Sequence, residues 1–241
     1  MCTVVLSFEP ENAWPLLLAA NRDEMLHRPW QSPAEHWPDR PGVVAGRDLT
    51  AGGTWMGVNR AGVVAAVLNR KNTLGPAPGK RSRGELPLLA LAAETAEEAA
   101  SFIIRLDAAD YRSFNMVVAD RAGAFWLRGT ETGRPEMWGI APGLHMVTAR
   151  DPDDLASPRI ARHLPRFRAR FRPVPPDWGA WATLLADSEG PPETQINIAP
   201  RGGFGTVSAS LLAIDRMGGI TWLFAAGAPG AAPFTPVALA A

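Results

Sequence analysis

Cys2-Thr3-Val4-Val5-Leu6-Ser7-Phe8, Glu9-Pro10-Glu11-Asn12, Ala13 to Ala20, and then Asn21-Arg22-Asp23-Glu24 form the stretch on which the reading of this chain turns. Cys2 to Phe8 is rich in β-branched residues and alternates weakly, which predicts a strand. Glu9 to Asn12 carries turn chemistry, and Ala13 to Ala20 predicts the returning strand. In an antiparallel pair, partner numbers sum to a constant. A turn centred near Pro10-Glu11 therefore sets Cys2 opposite roughly residues 19–21. On this register Asn21 to Glu24 begins where Cys2 lies, directly after an apolar strand, and brings charged side chains to a thiol.

Cys2 is the only cysteine in 241 residues and directly follows Met1. Removal of Met1 would leave Cys2 with a free α-amino group beside its thiol. The thiolate is a nucleophile, and an α-amine of pKa about 7.7–8.0 can serve as its general base. Enzymes that cleave amides with an amino-terminal nucleophile use this pairing. The plain alternative is a buried strand cysteine. Arg22 and Asp23 are correspondingly either the charged pair that serves the thiol or a solvated turn ion pair of little energetic weight.

Composition narrows the classes. Lys plus Arg and Asp plus Glu balance at 24 each, so no global positive field directs the chain to nucleic acid. A lone cysteine excludes an internal disulfide framework and a cysteine-based zinc site, and makes the cytoplasm the expected location. No apolar run approaches the length of a membrane span, and the amino end lacks the basic region of a signal peptide. No linker or fixed-period repeat divides the sequence, so residues 1–241 are expected to form a single domain.

Three further hairpins follow: Thr54–Val58 with Gly62–Leu68, Phe114–Ala119 with Ala124–Arg128, and Gly205–Ile214 with Gly219–Ala225. The first of them sets Asn69 near Gly52-Gly53, at the end opposite its turn. Leu144–Thr148 predicts a short strand. Arg28–Pro41 and Asn72–Arg81 read as loops, and the stretch from Ala226 as a tail over the surface. Helices are expected from Glu85 to Ala93, from the Thr95 cap to Leu106, from Ser157-Pro158 to Phe171 with Pro165 as a kink, and over Asp177–Ala186. Hairpins with helices grouped between them predict an α+β layered fold of antiparallel sheets covered by helices.

Several motifs lie along this frame. They are Ala20-Asn21-Arg22-Asp23-Glu24, Arg28-Pro29, Gly46-Arg47-Asp48, Gly52-Gly53-Thr54-Trp55-Met56-Gly57-Val58, Asn69-Arg70 and Ser82-Arg83-Gly84. Together with Cys2 they resemble the NRDE-motif family, also named after transport and Golgi organisation protein 2, densely over the first 85 residues or so. The resemblance continues more loosely through Phe114-Asn115, Gly143-Leu144-His145 and Gly205-Thr206-Val207-Ser208. Thr148-Ala149 stands where the family is expected to carry Ser-Asn.

That family is similar to the N-terminal nucleophile (Ntn) hydrolases, in particular the choloylglycine hydrolase and penicillin acylase branch. The resemblance implies an αββα four-layer sandwich, with Cys2 as nucleophile acting on a linear amide or thioester and Arg22 and Asp23 as its charged pair. Asn69 and Asn115 are expected in oxyanion or substrate-carbonyl roles, with strand-end capping as the alternative. Asn21, Gly53 and Trp55 are expected against the substrate; for Gly53 the alternative is a backbone requirement, and for Trp55 a place in the core. The family's links to haem trafficking and acyl-lipid metabolism imply a second reading: a non-enzymatic carrier of haem, acyl-lipid or acyl-CoA on the same fold. No cofactor is required in either case, and haem enters only as cargo. His27, His36, His145 and His163 lack metal-ligand spacing. The six arginines between Arg159 and Arg172 read as a solvated face, or as an anion-binding lip.

Overall fold

In the computed structural model, residues 2–239 are described. Two antiparallel sheets lie face to face. The first has the order β10-β1-β2-β11-β12-β13, built from Gly143–Val147, Thr3–Phe8, Leu16–Met25, Phe204–Ile214, Ile220–Ala225 and Phe234–Pro236. The second runs β3 to β9 in chain order: Trp30–Ala34, Val44–Asp48, Met56–Val58, Val64–Asn69, Phe114–Ala119, Ala124–Gly129 and Glu136–Gly139. Helices α1 (Glu85–Ala90) and α2 (Ala96–Ile103) cover the second sheet, and α3 (Pro158–Arg168) and α4 (Trp181–Leu185) cover the first.

Strand periodicity builds these layers. Val4, Leu6 and Phe8 of β1 and Leu16 and Leu18 of β2 point between the sheets, where they meet Met56, Val58, Leu68 and Val117. Val5, Leu17 and Ala19 point the other way, onto Ile160, Leu164, Phe167 and Trp181 of the helical layer. Both faces of these central strands are buried, which is why β1 reads as a nearly continuous apolar run rather than a clean alternation. The αββα sandwich is thus the observed architecture.

The structure departs from the sequence expectation in several places. The first hairpin loop is longer than four residues. Glu9 N–H donates to Pro15 O at 2.8 Å and Trp14 N–H to Asn12 Oδ1 at 3.1 Å, so β2 begins at Leu16. Its register pairs Thr3 with Asn21, which places the continuation of β1 at Cys2 beside Arg22 rather than beside residues 19–21. Asn21 to Glu24 does not follow the strand; it lies inside β2, because β11 pairs with β2 from Leu16 to Met25. The Arg28–Pro41 segment contains β3, the stretch before Gly143 contains β9 and the tail contains β13, each a short edge or near-edge strand that composition does not announce. Thr95 and Ser157 do cap their helices, accepting from Glu98 N and Ile160 N. The helix from Pro158 passes through Pro165 and stops at Arg168, and the last helix is confined to Trp181–Leu185.

Candidate functional site

Cys2, Arg22 and Asp23 meet at the end of the β1–β2 ladder. The Cys2 sulfur accepts the Asp23 backbone N–H at 3.4 Å, and its S–H faces the Asp23 carbonyl at 3.7 Å. Alternation along β2 then divides the neighbours between the two faces of the sheet. Arg22 turns to the inter-sheet side, where its guanidinium lies over the Trp55 ring at 4.2 Å from the centroid. Glu24 and Asp48 stand at 3.9 and 4.0 Å from its Nη2. Its Nη1 is buried and has no hydrogen-bond partner among the described residues. Burial pulls the Arg22 pKa down, and the nearby Cys2, Glu24 and Asp48 act in the opposite direction.

Asp23 turns to the helical side and is held firmly. Its Oδ1 accepts from Thr206 Oγ1 at 2.7 Å and its Oδ2 from Arg159 Nη1 at 3.1 Å. Arg159 also donates to Thr3 Oγ1 at 3.0 Å, so one guanidinium ties α3 to both β1 and β2. A bulge in β11 between Thr206 and Ser208 sets Thr206 opposite Asp23 and Ser208 opposite Arg22. Sequence reading missed both Arg159 and Thr206. A signal for Arg159 exists: with Ile160, His163, Leu164 and Phe167 it occupies the buried stripe of an amphipathic helix. A charge on such a stripe requires a buried partner.

Four more arginines of the run are engaged, while Arg170 is exposed and makes no ion pair among the described residues. Arg162 and Arg166 pair with Asp187, Arg168 with Asp153 and the Leu144 carbonyl, and Arg172 with Glu9 and Ser7 Oγ. The run is therefore neither a uniformly solvated face nor a single lip. It fastens α3 and the turn after it to the first sheet and to the segment that follows α4.

Cys2, Arg22, Asp23, Trp55 and Asn69 share the lining of one cleft of about 320 Å³, which opens between the end of β2 and the Gly75–Gly84 segment. Asn69 is half-buried, and its side chain makes no hydrogen bond within the described residues, so its amide is available in the cleft. Trp55 serves both expectations, as platform for Arg22 and as edge-on neighbour of Trp30 with ring centroids 5.9 Å apart.

Three expected site residues are engaged elsewhere. Gly53 faces Gly84: a Cβ at Gly53 would sit 2.4 Å from the Gly84 carbonyl carbon, and Thr54 N–H donates to Gly84 O at 2.8 Å. The need for glycine is a backbone crossing that fixes Ser82-Arg83-Gly84 beside the cleft. Asn21 donates both amide hydrogens, to Leu185 O and Ile196 O at 2.9 Å each, on the helical side of the sheet, and its buried Oδ1 has no hydrogen-bond partner among the described residues. Asn115 is fully buried and fully occupied. Its Nδ2 donates to Thr148 O at 2.8 Å and Arg150 O at 2.7 Å, and its Oδ1 accepts from Arg70 at 2.6 Å and Trp126 Nε1 at 3.2 Å. All of its ordinary hydrogen-bonding capacity is spent, and it is not among the residues lining the cleft.

Burial pushes the Cys2 thiol above its ordinary pKa, the Asp23 carboxylate adds to this, and Arg22 opposes it. Among the described residues no group of His, Cys, Asp and Glu is arranged to hold a metal ion. No helix among them is long and apolar enough to cross a membrane. Met1, on whose removal the expected free amine depends, lies outside the described residues.

Comparison with solved structures shows the same architecture in known hydrolases. An N-acylethanolamine-hydrolyzing acid amidase ortholog from Caenorhabditis elegans superposes with a TM-score of 0.62 at 11% identity, covering 88% of this chain and 92% of that one. A mutant conjugated bile acid hydrolase from Clostridium perfringens gives 0.53 at 11% identity, covering 98% and 92%. At this identity the likeness establishes the fold. In sequence, a transport and Golgi organization protein 2 homolog from Bos taurus is 34% identical over 129 residues, 50% of this chain and 45% of the relative. The mouse homolog is 31% identical over 157 residues, 60% and 55%. The chain thus spans about half the length of the curated relatives it matches. The family model for Transport and Golgi organisation 2 matches residues 1–172, which takes in Cys2, the β2 motif, Asn69 and Arg159, and on that match the chain belongs to the Transport and Golgi organisation 2 family.

Proposed function

We propose that the protein is an N-terminal cysteine hydrolase of linear amides or thioesters, with Cys2 as nucleophile once Met1 is removed. The observation that carries this reading is the Cys2 sulfur at the floor of a cleft, bonded to the Asp23 backbone, with the buried, unpartnered Arg22 Nη1 in the same lining. In the proposed cycle the α-amine takes the thiol proton, and the thiolate attacks the substrate carbonyl. Arg22 Nη1 and the Asn69 amide meet the oxyanion. The amine then gives its proton to the leaving amine or thiol, and water hydrolyses the acyl-cysteine. Asp23, anchored by Thr206 and Arg159, fixes the end of β2 and balances the ammonium form. The hydrolases that share the fold, one acting on N-acylethanolamines and one on conjugated bile acids, support amide chemistry.

The test is intact mass of the purified protein, followed by hydrolysis of a panel of N-acyl amides and acyl thioesters. Cys2→Ala is expected to abolish turnover and Cys2→Ser to retain a fraction of it, because a hydroxyl ionises far less readily than a thiol of pKa about 8.5. One residue added before Cys2 is expected to be as damaging as Cys2→Ala, since it turns the base amine into an amide. Full activity in Cys2→Ala sinks the proposal.

The second reading, a carrier of haem, acyl-lipid or acyl-CoA, is supported by the same cleft, whose lining combines Trp55 with several cationic side chains that suit an amphiphilic anion. None of the four histidines lines the Cys2 cleft, so a haem carried there is expected to keep its absorbance spectrum in each single His→Ala variant. Loss of the Soret shift in one of them would place the haem elsewhere.

A further inference from the structure

Six cationic residues line the Cys2 cleft: Arg22, Arg28, Lys80, Arg81, Arg83 and Arg112. Four have carboxylates at hand. Arg22 and Arg28 share Glu24 and Asp48, Arg81 sits 2.7 Å from Glu85, and Lys80 stands 3.9 Å from Glu131. Arg83 and Arg112 differ. Among the described residues neither has a carboxylate within 4.0 Å, although both are half-buried.

Their hydrogen bonds go to neutral backbone and hydroxyl oxygens of Asn72–Gly75 and Ser113. Arg83 Nη1 donates to Thr73 Oγ1 at 3.1 Å and Ser113 O at 3.0 Å, and its Nη2 to Gly75 O at 3.3 Å. Arg112 Nη1 donates to Leu74 O at 2.7 Å and Gly75 O at 3.4 Å, and its Nη2 to Asn72 O at 3.1 Å. Each guanidinium has five N–H donors. Each therefore keeps its Nε–H and one Nη2–H as donors left for a carboxylate or phosphate. The shared acceptor Gly75 O holds the two cations side by side. Burial and the like charge of Arg112 push the Arg83 pKa down to about 10, a cost that an anion between them would relieve. The Gly53–Gly84 crossing fixes Arg83 at the cleft wall.

We propose that Arg83 and Arg112 form an anion subsite in the wall of the Cys2 cleft, which holds a carboxylate or phosphate carried by the molecule bound there. This rests on the reading of the cleft as the substrate site and narrows the substrate class to amides, thioesters or amphiphiles with an oxyanion remote from the bond at Cys2. The competing account is that the two arginines only staple the Asn72–Gly75 backbone.

Cys2 is the only cysteine, so a thiol reagent reports on this cleft alone. The rate with dianionic dithiobis(nitrobenzoate) is compared with that of neutral dithiodipyridine, in the intact protein and in the Arg83→Gln/Arg112→Gln variant. The variant is expected to lower the anionic-to-neutral rate ratio about tenfold, the lower end of electrostatic attraction in a charged cleft. The neutral rate is expected to stay within about twofold. An unchanged ratio, or an equal slowing of both reagents, overturns the proposal in favour of the staple. If the variant does not fold, the unmodified protein decides. Inorganic pyrophosphate or succinate is expected to slow Cys2 modification, and the better protector names the anion as phosphate or carboxylate. Protection by neither at about 10 mM, enough to occupy a site with a Kd of a few mM, overturns it as well. Hydrolysis is read in neither measurement, so a catalytically silent Cys2 leaves both outcomes interpretable.

Discussion

Replacing Asn115 by Leu separates a structural amide from a catalytic one. The substitution keeps side-chain volume close and deletes four hydrogen bonds at a fully buried position. Not all four count equally. Arg70 keeps Asp151 at 2.7 Å, in a half-exposed pair, and the Arg150 carbonyl is only partly buried, so both have recourse to other partners. Thr148 O and Trp126 Nε1 are left buried without a partner. At about 1–3 kcal/mol for each orphaned group, the expected loss is about 2–6 kcal/mol. With an m-value of about 3 kcal/mol/M, this moves the urea midpoint down by about 0.7–2 M. The assay is equilibrium urea unfolding followed by tryptophan fluorescence, with the rate of Cys2 modification by a neutral thiol reagent in dilute buffer as control. That rate is expected to stay near the wild-type value while the midpoint falls. An unchanged midpoint together with lost amide hydrolysis would refute the reasoning and return Asn115 to the catalytic set.

Two other outcomes are expected. His163 is fully buried, donates from Nε2 to Thr194 O at 2.8 Å, and is held neutral by burial with its pKa pushed down to about 4. Its unfolded pKa is about 6.5, so the unfolded chain binds the proton first, and stability is lost as pH falls from about 6.5 toward 4, by up to about 3 kcal/mol. His163→Gln is expected to flatten that part of the urea-stability profile, and profiles parallel to wild type would contradict the assignment. Gly53→Ala drives a methyl into the Gly84 backbone and is expected to cost about 1–3 kcal/mol. Michaelis constants for the surviving folded protein that rise without any shift of the urea midpoint would instead make Gly53 a substrate contact.

The first 24 residues carry much of the local answer in their own pattern. Cys2 stands beside the Arg22-Asp23 step because a hairpin fixes its partners through a single connecting loop, and an error of a residue or two in the turn leaves the neighbourhood intact. The Thr95 and Ser157 caps are legible for the same reason: the donor and acceptor lie three residues apart. Short edge strands such as β3, β9 and β13 are not legible, since their pairing rests on a neighbour already in place. Tertiary structure alone decided which amides reach the cleft. Asn69 and Asn115 both sit on strands of the second sheet, yet Asn69 opens onto the cleft while Asn115 is consumed by the backbone after β10. It also decided that Arg159, 136 positions from Asp23, closes the ion pair behind the cysteine. Such pairings depend on how helices settle on sheets and on where a bulge falls in β11, and these are set by the burial of the whole core rather than by any local run of residues.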